Sequence, residues 1–154
     1  MHVRLALLAA ILEGCAGESV DTGTVDRVID GDTIVLATGE KIRYLLVDAP
    51  ETTNGHDDCY GSNAAQFNTD LVLHKEIELT YDVVKTDMYG RTLAWVTVAG
   101  NDVNKLMVER GYACVLFIKP DGMSRYDEFK LLQADAKANS RGVWGACDPL
   151  PPAC

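Results

Sequence analysis

Several acidic side chains and two arginines stand at spacings that ask for a chemical explanation. Asp30-Gly31-Asp32-Thr33 interrupts one apolar run, and Asp48-Ala49-Pro50-Glu51 ends the next. Arg43 sits inside that second run, and Arg91 follows Asp87-Met88-Tyr89-Gly90. Taken singly each feature is ordinary, since Asp-Gly is turn chemistry and strand ends often carry a polar loop. Taken together, carboxylates from two strands with no His or Cys among them form a hard-oxygen donor set that suits Ca²⁺ or Mg²⁺ rather than zinc. An arginine in an apolar strand needs a partner. That partner is either one of the acids or an anion such as phosphate, whose geometry the planar guanidinium fork matches from two nitrogens. Arg91, at a strand start, is either a solvated charge or a second donor of the same kind.

The elements around these residues must bring them to one place. Val28-Ile29 and Ile34-Val35-Leu36 flank the Asp30–Asp32 turn, and Ile42 to Val47 returns after Thr38-Gly39-Glu40. A hairpin of this kind gathers the acids of both strands only if the sheet bends sharply, as small closed barrels do. Further along, Ser62-Asn63 predicts a cap for a helix to about His74. Period-two alternation predicts strands over Glu76–Val84, Arg91–Ala99 and Tyr112–Ile118. Val103–Arg110 reads as a short helix closed by Gly111, and Ser124 as the cap of an amphipathic helix to Ser140. The order β-β-α-β-β-α-β-α gives a mainly β, α+β fold: a five-stranded Greek-key barrel of the OB type carrying about three α-helices.

The chain has 154 residues, 47% hydrophobic and 24% charged, which suits one globular domain with a real core. Its 23 acidic against 14 basic residues leave a net charge of -9, and that argues against a general affinity for polyanions. Residues 1–14 read as a signal peptide: Arg4, the apolar run Leu5–Leu12, then small residues. The run is shorter than the ~20 residues a bilayer requires. Leu12-Glu13-Gly14-Cys15 also reads as a lipoprotein box with Cys15 lipidated, the only route to a membrane, and simple secretion stands beside it. Residues 15–23 form a polar tether, 24–146 the domain and 147–154 a tail. Cys59, Cys114, Cys147 and Cys154 are an even set suited to two disulfides in an oxidising compartment, with three pairings open.

VIDGDTIVL, RYLLVDAPE and TDMYGRTLAW, with CYGSNAAQF and NSRGVWG, closely resemble the motif blocks of the staphylococcal nuclease (thermonuclease) family. The resemblance runs over about residues 24–145, in the family's order. It implies an exported, monomeric OB-fold enzyme that uses Ca²⁺ to hydrolyse DNA and RNA at the bond to the 5′ oxygen, leaving 3′-phosphates. It implies catalytic roles for Arg43, Glu51 and Arg91. Metal ligation falls to Asp32, Asp48 and the Ala49 carbonyl with Asp30 nearby, and a nucleotide contact to Tyr89. Leu116-Phe117-Ile118 departs from the family, whose type member has two tyrosines here, and Met88 stands where that member has lysine. Both departures imply weaker, more local binding of nucleic acid. The alternative from a different class is a non-catalytic OB-fold binding module on the cell surface, which would not require Arg43, Glu51 and Arg91 together.

Overall fold

A computed structural model describes residues 20–53 and 55–154; the signal-like stretch 1–14 and Cys15 lie outside the described residues. The strands are β1 (Asp21–Val28), β2 (Thr33–Leu36), β3 (Lys41–Tyr44), β4 (Val47–Asp48), β5 (Glu76–Thr80), β6 (Thr92–Val98), β7 (Asn101–Asp102) and β8 (Cys114–Val115). The helices are α1 (Gly61–Val72), α2 (Val103–Glu109), α3 (Tyr126–Ala138) and the single turn α4 (Val143–Ala146). The sheet order β3-β2-β1-β5-β6 closes on itself because β3 also pairs with β6, in parallel, with Ile42 opposite Thr92 and Tyr44 opposite Ala94. That closure makes the expected five-stave barrel. Closing it turns Val25, Ile34, Ile42, Tyr44, Ile77, Leu79, Ala94 and Val96 into one buried cluster, each at most 2% exposed. Among the described residues no helix is long and apolar enough to cross a membrane.

α2 covers one end of the barrel through Val103, Met107 and Val108, all fully buried. Asn104 on the same helix is equally buried: its amide nitrogen donates to the Leu45 and Ala94 carbonyls at 3.0 and 3.2 Å, and its oxygen accepts from the Val96 amide at 2.9 Å. One side chain thus pairs the Val96 amide and the Leu45 carbonyl, and adds a second donor to the Ala94 carbonyl, which also accepts the Leu45 amide at 3.1 Å. Asp102 caps α2 by accepting from the Lys105 amide. Gly111, at φ +75, ends it as expected, packed against the Arg141 carbonyl where a side chain has no room.

Several expected boundaries are corrected. β1 begins at Asp21 and pairs Asp21–Thr24 with Glu76–Leu79, so the last part of the tether is strand. Its polar residues lack an apolar period because they are exposed. Ser62 and Asn63 do not cap α1; the chain enters through Tyr60 in a left-handed conformation with no side-chain cap. Ser124 does not cap α3 either. Arg125 stands at that position, bound to Asp102 at 2.7 Å and lying over the Trp95 ring. The strand expected over Tyr112–Ile118 shrinks to Cys114–Val115 and pairs with β4 outside the barrel. The fifth stave comes instead from the first long run, which the Asp30–Asp32 turn divides into β1 and β2.

The cysteines pair as Cys59–Cys147 and Cys114–Cys154. The first bridge ties the loop before α1 to the end of α4, and the second fixes the C-terminal tail to β8. The small loop between Cys147 and Cys154 that the sequence allowed is not closed.

Candidate functional site

The turn between β1 and β2 and the exit of β4 meet at Asp32. Its Oδ2 accepts the Ala49 amide at 2.7 Å, while Oδ1 accepts the Thr33 hydroxyl at 2.8 Å and lies 3.1 Å from Arg43 Nε. Asp30 Oδ1 accepts the Asp32 amide at 2.9 Å. Gly31 between them is required for the approach of the two segments: a Cβ there would stand 2.6 Å from that of Ala49 and 2.8 Å from that of Ala64. α1 holds the turn from behind, with Asn68 donating to the Asp30 carbonyl and accepting from the Tyr44 hydroxyl, at 2.9 and 2.8 Å.

Arg43 is 9% exposed. Besides Asp32, its Nη2 donates to Asp48 Oδ1 at 2.9 Å, and its Nη1 donates to the Tyr44 and Val47 carbonyls. Four of its N–H directions are therefore occupied, and one on Nη2 is left. In β6 Thr92, Ala94, Val96 and Val98 turn inward. Arg91 and Leu93 thus share the outer face, and Arg43, opposite Leu93, shares it with them. Strand rise and spacing then put the two arginine Cα atoms roughly 8 Å apart. Both line one cavity of about 400 Å³.

Arg91 is positioned by its turn. Asp87 accepts the Tyr89 and Arg91 amides at 2.9 Å each, and its other oxygen holds Arg91 Nε at 2.7 Å. Burial draws the Asp87 carboxyl upward, but these bonds from Arg91 and Tyr89 outweigh it and leave the group below its usual value. Tyr89 is 75% exposed, its ring 5.4 Å from the Arg91 guanidinium. Leu116 and Ile118 face the cavity, whereas Phe117 turns away to stack on Tyr126 at 4.3 Å.

Glu51 stands exposed on the following loop, accepting from the Thr53 hydroxyl at 3.0 Å. Asp58 fastens this loop, accepting the Glu51 amide at 3.1 Å and donating its own amide to the Glu51 carbonyl at 2.9 Å. The carboxylates sense one another. Burial, then the Asp32 carboxylate, pushes Asp30 up to about 7, with Glu51 adding to the rise. Burial likewise raises Asp48 to about 6; Arg43 opposes that rise, Asp32 and Glu51 add to it, and Arg91 opposes it further. Asp48 therefore lies within electrostatic reach of Arg43, Asp32, Glu51 and Arg91 at once.

The donors fit a hard divalent cation. Their oxygens are carboxylates and backbone, and burial first, then the neighbouring carboxylates, raises Asp30 and Asp48 despite Arg43. Among the described residues no three His, Cys, Asp or Glu side chains form a closed ligand cluster. Asp32 and Asp48 would therefore share a cation with backbone, water or phosphate oxygens.

Sequence reasoning placed Asp30, Asp32, Arg43, Asp48 and Arg91 but missed their supports Tyr44, Asn68, Asp87 and Asn104. Asn68 could have been found: it is a polar residue four positions from both Ala64 and Val72, on the buried face of α1. Tyr44 carries no such signal, because an apolar strand accepts a tyrosine without remark.

The profile of the family described as Staphylococcal nuclease homologue matches residues 41–146. Endonuclease YncB of Bacillus subtilis (strain 168) is 39% identical over 127 residues, 79% of this chain and 60% of YncB. The SPbeta prophage-derived endonuclease YokF of the same organism is 35% identical over 133 residues, 82% of this chain and 45% of YokF. This chain thus spans less than two thirds of the length of either. The Thermonuclease of Staphylococcus hyicus is 31% identical over 137 residues, covering 85% of this chain and 80% of that protein. A barrel closed between β3 and β6, acids at the β1–β2 turn and the β4 exit, and a profile match from Lys41 onward agree: the chain belongs to the staphylococcal nuclease homologue family.

Proposed function

We propose that the chain is an exported, Ca²⁺-dependent endonuclease that hydrolyses DNA and RNA at the bond to the 5′ oxygen and leaves 3′-phosphates. The observation that carries this reading is that Arg43, bound to both Asp32 and Asp48 at 3.1 and 2.9 Å, lines one cavity with Arg91. Export is supported by the two disulfides, which persist in oxidising compartments.

Asp32, Asp48 and the Ala49 carbonyl, with Asp30 nearby, would hold the cation, which when bound supplies charge compensation at a phosphoryl oxygen and orientation of water. Among the described residues Arg91 commits only Nε, to Asp87, so its two Nη groups are available for an equatorial phosphate oxygen. Arg43 brings its remaining Nη2 hydrogen. Such donors act most strongly as charge builds in the transition state. Glu51, exposed and oriented by Thr53, takes or directs the proton of the attacking water. As the water oxygen bonds to phosphorus, the bond to the 5′ oxygen breaks on the opposite side.

Digestion of DNA and RNA by the purified chain, with Ca²⁺ or with chelator, beside Glu51→Ala, tests the reading. Activity is expected only with the wild type and the cation. Full activity in chelator or in the variant removes the mechanism. The acidic surface further implies a shallow dependence of KM on salt, with few phosphate contacts.

A further inference from the structure

A second groove lies between the start of α1 and the end of α2. It holds about 550 Å³ and is lined, beside Leu71 and Leu106, by Tyr60, Phe67 and Tyr112 with Arg110 and Arg141. The three rings form a ladder. Tyr112 stacks on Phe67 with centroids 4.1 Å apart and planes at 11°, and Tyr60 lies tilted beside it at 5.5 Å and 30°. All three are half-buried, so ring surface remains open to solvent. Arg110 is exposed and, among the described residues, forms no salt bridge. Arg141 is held by Asp135 at 2.6 Å and the Glu109 carbonyl at 3.1 Å.

Packing α1 against α2 does not call for this composition. Leu71 and Leu106 already supply apolar contact there, and phenols and guanidiniums add nothing to it. Tyr60 is also kept at a backbone position with φ 70, where glycine would sit without strain. Two arginines beside open aromatic faces are a local exception on a chain of net charge -9. Aromatic faces flanked by cations are what proteins use to bind single-stranded nucleic acid without reading its sequence.

The groove is adjacent to the chemistry. Tyr60 immediately precedes Gly61, whose position is so close to the loop that a Cβ would lie 2.8 Å from the Glu51 carbonyl oxygen. Tyr60 thus joins the groove to the loop that carries Glu51.

We propose that this groove is a second contact for single-stranded nucleic acid, with a substrate base against the Tyr60–Tyr112 ladder and its phosphate at Arg110. The proposal rests on the nuclease reading above and extends it, making long single strands better substrates than dinucleotides. Arg110→Glu and Tyr112→Leu test it through cleavage of a thymidine decamer and a thymidine dinucleotide, with decamer binding followed by fluorescence anisotropy. In each variant the ratio of kcat/KM for decamer over dinucleotide falls roughly tenfold, one stacked base or phosphate contact being worth about 1.4 kcal/mol per decade. In Arg110→Glu the slope of log Kd against log salt also becomes shallower by about one contact. An unchanged ratio in both variants, or equal losses on both substrates, overturns the proposal. If the wild type cleaves neither substrate, the nuclease reading fails by itself. Decamer binding by the wild type against Arg110→Glu then still decides the groove: equal affinity overturns it and weaker binding by the variant upholds it.

Discussion

Arg43 and Arg91 should separate cleanly when each is replaced by alanine. Arg43 and its partner Asp32 have side chains 11% and 7% exposed, and the guanidinium also holds Asp48 and two backbone carbonyls. Removing it leaves a buried carboxylate without its counter-charge, which costs about 3–5 kcal/mol. Against a typical domain stability of about 5–15 kcal/mol that is a large fraction. Arg91 has a 30% exposed side chain in an i,i+4 pair with Asp87, so its loss should cost about 0.3–1 kcal/mol. Both variants should lose roughly a hundred- to a thousandfold in kcat as transition-state donors. Urea unfolding in chelator, with linear extrapolation, reads the stability difference. Adding Asp32→Asn to Arg43→Ala should recover part of the loss, because the orphaned charge is then removed. The reasoning is refuted if Arg43→Ala unfolds at the wild-type midpoint, or if Arg91→Ala loses as much stability as Arg43→Ala.

Asn104→Ala should destabilise by about 3 kcal/mol by stranding the Leu45 carbonyl and the Val96 amide in the core, while the Ala94 carbonyl keeps the Leu45 amide, measured by the same titration. Replacing Cys59 and Cys147 together by serine should cost about 2–4 kcal/mol, since the bridge closes a separation of 88 residues. It should also lower kcat by freeing the loop that carries Glu51, so an unchanged kcat would show that Asp58 alone positions this loop. Asp87 has a depressed carboxyl in the folded chain, so its contribution is present above the unfolded value of 3.8 and is lost as pH falls through the lower, folded one. Wild type and Asp87→Asn should therefore differ in stability at neutral pH and converge at the acid end. A difference that persists there would assign the effect to the turn itself rather than to charge.

What the sequence determined by itself was local. Alternating apolar residues set which face of β5 is inward, and Gly111 set the end of α2, because each depends on neighbours within a few positions. The hard-oxygen character of the site was equally legible, since the types of Asp30, Asp32, Asp48 and Glu51 do not depend on the fold. Partnership across long separations was decided only by the tertiary structure. Nothing local distinguishes three cysteine pairings, and Cys59–Cys147 exists because folding brings their Cα atoms to 6.0 Å. The parallel β3–β6 pairing puts Arg43 and Arg91 on one face, and the approach of Ala49 to Asp32 across Gly31 joins the two acidic turns. The caps misread at Ser62 and Ser124 have the same cause. At those helix starts the chain is held by contacts from elsewhere, the Asp58 carbonyl on the Gly61 amide and Asp102 on Arg125, rather than by a serine's local preference.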